Sequence, residues 1–203
     1  MVQALKKTVT FAEFIEWKPE DKRYELHDGV IIEMSQPLGG HEEVTGFLTI
    51  DLAVECKRLN LPYLIPNKAL VKLPESESAY LPDVLFLNRS KLVDEPLWKK
   101  ESTVTKGDSI PLAIEVVSTN WRVDYYRKYG DYEELGINEY WIVDYLALGA
   151  YKYVGNPKQP TISICSLIEG EYQVNQFRGS DKIVSPTFPE LNLTAEQIFQ
   201  AAT

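Results

Sequence analysis

The sequence predicts an α/β fold, a mixed central β-sheet flanked by helices, and three features carry that expectation. PLAIEVVS at 111–118 and EYWIVDY at 139–145 are short apolar runs of the kind that form strands buried on both faces. Between them, Ser118, Thr119 and Asn120 offer caps for a helix reaching roughly Leu135 and closed by Gly136, so 111–145 reads as one β-α-β unit. RYELHDGVIIEM at 23–34 sets Asp28-Gly29 between two short β-type runs, a strong hairpin signal.

The other elements can be taken in chain order. FAEFIEW after Thr10 is a short helix, with Thr10 as N-cap and Glu13 three residues on completing a capping box. Past the loop SQPLGG, a second helix runs from about His41 to Leu59. Val44, Phe47, Leu48, Leu52 and Leu59 recur on one face of it, leaving Asp51, Glu55 and Lys57 outward. Short β-type runs come at 63–65, 69–73 and 83–87. The polar stretch from Asn88 to Asp108, punctuated by Pro96 and Gly107, reads as loop with a short helix. The tail adds strands near 148–153, 161–167 and 171–178, then a short helix after Thr194. No repeat or Gly/Ser linker divides the chain, so a single domain over 1–203 is expected.

Composition narrows the chemistry. The 203 residues are 44% hydrophobic and 25% charged, which suits a soluble globular protein and is too apolar for a disordered one. No run of about 18 apolar residues exists to span a membrane, and the N-terminus lacks the features of a secretory signal. Cys56 and Cys165 show no CxxC spacing, which reads as unpaired thiols in a reducing cytoplasm. With two histidines, a Cys/His zinc site would consume every such ligand, and no GxSxG elbow supports a serine hydrolase. Lys and Arg number 21 against 30 Asp and Glu, a net charge of −9. That excludes coating of nucleic acid by bulk electrostatics, but not an approach to DNA through a local basic face or a metal ion.

The informative set is Asp83, Glu115 and Lys128. Asp83 follows Pro82 at the entry of a predicted strand, and Glu115 lies inside the apolar run LAIEVV. A carboxylate there costs a great deal unless it is paired or binds a metal. Acids from neighbouring strands make an oxygen-ligand pair suited to Mg²⁺ or Mn²⁺; a structural ion pair is the competing reading of Glu115. Lys128 lies 13 residues beyond Glu115, where a helix folding back over the strand brings its ammonium to the same place. Asp124, four residues earlier on the same helical face, would orient or neutralise it.

Pro82-Asp83, then Ile114-Glu115-Val116-Val117-Ser118, then Asp124, Lys128 and Tyr132, then GINEYWIVD from Gly136, resemble the Uma-type family of restriction endonuclease-like proteins. That bacterial family was long a domain of unknown function and belongs to the PD-(D/E)XK nuclease superfamily. The resemblance extends to RYELHDGVIIEMSQP at 23–37, to His41 opening a helix and to FPELNLTAEQIF at 188–199, and covers about residues 10–200. It implies a restriction-endonuclease-like fold with an N-terminal hairpin and extra C-terminal strands, and a metal-dependent DNA endonuclease acting as a homodimer. A catalytically weak scaffold that binds nucleic acid or protein is the alternative. By the resemblance Asp83 and Glu115 hold the metal, with the Val116 carbonyl as a further ligand. Position 117, where the superfamily usually has its lysine, is Val, and Lys128 is the replacement.

Supporting roles fall to Asp124, to His41 near the site mouth, and to Glu43, which with Glu42 would supply an additional acid from the first long helix. Glu25 fits the family pattern without an assignable role. Tyr125, Tyr126, Tyr129 and Tyr132 read as packing on the sheet or at a subunit contact, with stacking on bases the other option. The basic pairs Lys6-Lys7, Lys22-Arg23 and Lys99-Lys100 are expected on a solvated surface.

Overall fold

The computed structural model describes residues 8–19 and 22–202, so the Lys6-Lys7 pair lies outside the described residues. Helix α1 (Phe11–Trp17) has the expected capping box: Thr10 Oγ1 accepts the Glu13 N–H, and the Glu13 carboxylate accepts the Thr10 N–H at 2.7 Å. Strands β1 (Tyr24–His27) and β2 (Val30–Glu33) pair antiparallel about Asp28-Gly29. Both turn residues have positive φ, 48° and 76°, as a two-residue hairpin whose twist matches its strands requires.

Helix α2 (Gly39–Arg58) precedes β3 (Tyr63–Leu64), β4 (Leu70–Lys72), β5 (Ala79–Tyr80) and β6 (Val84–Asn88). The polar stretch after β6 holds a one-turn helix α3 (Trp98–Glu101) and a two-residue strand β7 (Thr103–Val104). Strand β8 (Leu112–Val116) leads to a π-helical segment, Val123–Lys128, continuous with α4 (Tyr129–Leu135). Gly136 ends that helix at φ 84°, a left-handed cap. Strand β9 (Glu139–Asp144), helix α5 (Tyr151–Val154), strands β10 (Thr161–Ile168) and β11 (Glu171–Phe177) and helix α6 (Ala195–Gln200) complete the described chain.

The single central sheet expected from sequence is two mixed sheets. One has the order β2-β1-β5-β4-β7 and the other β11-β10-β9-β8-β6-β3. Strands of two residues carry no readable period, which is why β5, which joins the hairpin to β4, and β7 were not visible in the sequence. The β-α-β unit is as expected, with β8 parallel to β9. Strand β6 runs antiparallel to β8 with Val84 opposite Ile114, so continuing the register by one residue sets Asp83 opposite Glu115.

Three local expectations need correcting. Residues 148–153 are not a strand: the Asp144 carboxylate accepts the N–H groups of Leu148 and Gly149 at 2.8 Å each, reversing the chain into α5. Glu55 is not outward but buried along α2, held by a two-pronged bond from Arg58 at 2.7 and 2.8 Å. The hydroxyl of Ser118 donates to the Asn120 side chain, and the helix at 123 starts without a side-chain cap.

The core explains where the site forms. Val44, Leu48 and Leu52 of α2 pack on Val84, Phe86, Leu112, Ile114, Val116 and Trp141, one face of the six-stranded sheet. The opposite face presents Leu85, Ala113, Tyr140 and Ile142 to Tyr125 and Tyr132, with Val71 and Tyr80 of the other sheet closing over them. Because side chains alternate along a strand, Glu115 points to this second face, beneath the helix 123–135.

Candidate active site

Glu115 is the centre of the arrangement. It is 3% exposed, and its Oε1 accepts from Lys128 Nζ at 2.9 Å and from the Tyr132 hydroxyl at 3.2 Å. Lys128 and Tyr132 are four residues apart, on the helix that returns over β8. The winding of 123–128 as a π-helix is a form that recurs at functional sites. Lys128 Nζ lies 2.9 Å from Glu25 Oε1 and 4.0 Å from Asp124 Oδ1, so one ammonium serves three acids.

Glu25 comes from β1, in the other sheet. Its Oε1 accepts the Leu81 N–H at 3.0 Å and its Oε2 is 2.8 Å from His27 Nε2. Arg127 pairs with Asp28 at 2.7 Å and the Tyr80 hydroxyl donates to Asp131, so the helix carrying Lys128 is pinned to the five-stranded sheet from three positions.

Asp83 and His41 form the second half. The Asp83 carboxylate accepts the Val116 N–H at 2.9 Å, which fixes it at the end of β8. His41 Nε2–H donates to the Val116 carbonyl at 2.9 Å and lies 3.3 Å from Asp83 Oδ2. His41 Nδ1 is buried without a partner. Of the residues singled out in the sequence, Asp83, Glu115, Val116, Lys128, Asp124 and His41 thus come together in one cleft of about 500 Å³. Glu43 is not there: it is exposed, as is Glu42, because residues one and two positions after His41 point around the helix from it. Glu25 is the member whose role sequence reasoning could not assign.

The electrostatics arise from three carboxyls around one lysine, with Asp83 acting on two of them. Burial pushes the Glu115 carboxyl well above its usual range, opposed by Lys128 and reinforced by Asp83, Asp124 and Glu25. Burial likewise raises Asp124 to about 7. Glu25 shifts the other way: burial opposes its charge, but Lys128, His27 and the Leu81 N–H outweigh it and hold it at about 2. Burial also works against the charge on Lys128, yet Glu115, Glu25 and Asp124 together raise it well above the ordinary lysine value. For His41, burial is overcome by Asp83, which raises the imidazole.

This surplus of acid is the observation that bears on a metal. Among the described residues no three His, Cys, Asp or Glu side chains form a ready-made cage. Mg²⁺ and Mn²⁺ do not need one, since Mg²⁺ commonly takes one or two carboxylates and completes its shell with water and substrate phosphate. Asp83, Glu115 and the Val116 carbonyl are hard oxygen donors at adjacent strand ends, in a cluster short of positive charge, and the donor set fits such an ion.

The model of the family described as "Putative restriction endonuclease" matches residues 11–196. The chain belongs to the Uma2 family. A crystal structure from Anabaena variabilis ATCC 29413, described as a putative nuclease belonging to DUF820, superposes with a TM-score of 0.72. It is 15% identical in sequence, over 96% of this chain and 99% of that one, so the two share a fold. No curated protein matches the chain. The hairpin, the start of α2, Asp83, the end of β8 and the helix after it all meet at the cleft. Among the described residues no helix is long and apolar enough to cross a membrane.

Proposed function

We propose that this Uma2 chain is a metal-dependent DNA endonuclease that hydrolyses phosphodiester bonds, a cytoplasmic homodimer of one nuclease-like domain. The observation that carries this reading is Glu115, buried in an apolar strand with Lys128 Nζ at 2.9 Å and Asp83 at the neighbouring strand end. Asp83 and Glu115, with the Val116 carbonyl, would hold Mg²⁺ or Mn²⁺. When bound, the ion supplies acidification of a water and neutralisation of charge on the scissile phosphate. Lys128 presents the ammonium that orients the attacking water or stabilises charge developing on phosphate oxygens. Glu25 and Asp124 hold that ammonium in place, and Tyr132 fixes the Glu115 carboxyl by its hydroxyl. His41 positions Asp83 and the end of β8 through one nitrogen.

The test is nicking of supercoiled plasmid with Mn²⁺. Asp83→Ala abolishes it in a protein that keeps its fold, and undiminished cleavage by that purified variant overturns the reading. One observation favours the inert-scaffold alternative: His41 Nε2 already binds the two oxygens that a cation would take from Asp83 and Val116. Calorimetric titration with Mn²⁺ separates the two, since a scaffold shows no heat that depends on Asp83 and Glu115.

A further inference from the structure

The helical segment 123–128 has two working faces. Val123, Asp124 and Lys128 line the acidic cleft, while Tyr125 and Tyr126 line a second groove of about 420 Å³ on the other side. Its floor is sheet, with Ile142, Ser163 and Val174, and its facing wall is α5, with Lys152 and Tyr153. Tyr125 and Tyr153 stack at 4.2 Å, and Trp121 lies 6.0 Å from Tyr126. Tyr126 is 47% exposed, so this cluster is not sealed core.

Two further observations say what would enter. Ser163 is 2% exposed and its Oγ, on the floor, has no hydrogen-bond partner, whereas buried hydroxyls nearly always have one. Among the lining residues Lys152 carries the sole full charge; its Nζ sits 4.8 Å from the Tyr126 ring and 4.6 Å from the Tyr153 ring. Arg122 lies 4.5 Å over Trp121 beside it. In a chain of net charge −9, aromatic faces with Lys152 among them and Arg122 on the adjoining Trp121 suit a phosphate-bearing ring.

We propose that this groove binds an unpaired base of a nucleic-acid strand, stacked on Tyr126, with its phosphate at Lys152 and its polar edge at Ser163 Oγ. The identity of the polymer rests on the nuclease reading; the groove itself does not depend on cleavage. It lies across one helix from the acidic cleft, so the base it takes is not at the scissile bond but on the neighbouring strand path.

The experiment is fluorescence anisotropy of two labelled probes in EDTA: a 12-nucleotide oligothymidylate, and a strand of equal length and charge made of abasic sites. Thymidylate binds about tenfold tighter than the abasic strand, the range expected for base stacking. Tyr126→Ala removes that preference, Lys152→Ala weakens binding of both probes alike, Ser163→Ala reduces the preference about threefold, and Tyr126→Phe keeps it. Equal affinity for both probes, or a preference untouched by Tyr126→Ala, overturns the proposal. So does Tyr126→Ala shifting the sedimentation coefficient while leaving oligonucleotide binding intact, which would make the groove a contact between two copies. Plasmid nicking is read separately: base preference without nicking sinks the nuclease reading alone, and nicking without base preference sinks the groove alone.

Discussion

Two glutamates lie in adjacent parallel strands, both buried, and the structure treats them in opposite ways. Glu139 opens β9 at one end of the sheet, and its carboxyl accepts from Trp141 Nε1 at 2.6 Å, Ser185 Oγ at 3.1 Å and the Thr187 N–H at 2.8 Å. Those neutral donors surround it and tie the segment before Phe188 to the sheet. Glu115, near the end of β8, is bonded by a lysine and a tyrosine, and three further acids act on it. Burial alone therefore does not set the two apart. What distinguishes Glu115 is the set of further acids that act on it and share its lysine.

The largest effect that can break this contrast is catalytic. Glu115→Gln lowers Mn²⁺-dependent nicking by roughly a thousandfold, a loss of the size metal and charge stabilisation supply, whereas Glu139→Gln leaves the folded enzyme active; equal losses in a plasmid assay would erase the distinction. Stability should run the other way. Glu139→Gln costs about 2 kcal/mol in urea unfolding, because an amide cannot accept from all its donors. Glu115→Gln in EDTA costs less than about 1 kcal/mol, since the amide oxygen can still accept from Lys128 and Tyr132, and Glu25 and Asp124 remain to pair the ammonium.

The smaller effect is on pH. A carboxyl raised by folding contributes stability that is complete below its unfolded value and is lost as pH rises through its folded value. Asp124, raised to about 7, and His41, also raised, both act in this sense; Glu25, held at about 2, acts oppositely and only in acid. The metal-free protein should melt a few degrees lower at pH 8.5 than at pH 6. Mn²⁺ should shrink that gap and release protons on binding, seen as a buffer-dependent calorimetric heat. A melting temperature independent of pH in EDTA would show that the acids are balanced without a cation.

Much of this site was legible in one dimension. Glu115 interrupts an apolar run, Asp83 sits at a strand entry, and Lys128 falls where a returning helix must cross the strand. Glu139 heads the apolar run EYWIVDY without breaking it, and two of its donors, Ser185 and Thr187, are more than forty residues away. Glu25 was unreadable for a similar reason: its partner Lys128 is on a helix about a hundred residues on, and strands as short as β5 and β7 give no periodic sign of the sheet that brings Glu25 to it. Residues 148–153 alternate like a strand, and only the turn built on Asp144 shows that they coil instead.

The π-helical winding of 123–128 holds one residue more than an α-helix sweeping the same angle. Removing one residue between Asp124 and Lys128 would therefore let the segment relax to 3.6 residues per turn with little turning of the helix beyond it. Lys128 and Tyr132 would keep their reach to Glu115, and Tyr132 its place in the core. In such a lineage a codon could be lost from the middle of the helix without parting the lysine from its glutamate.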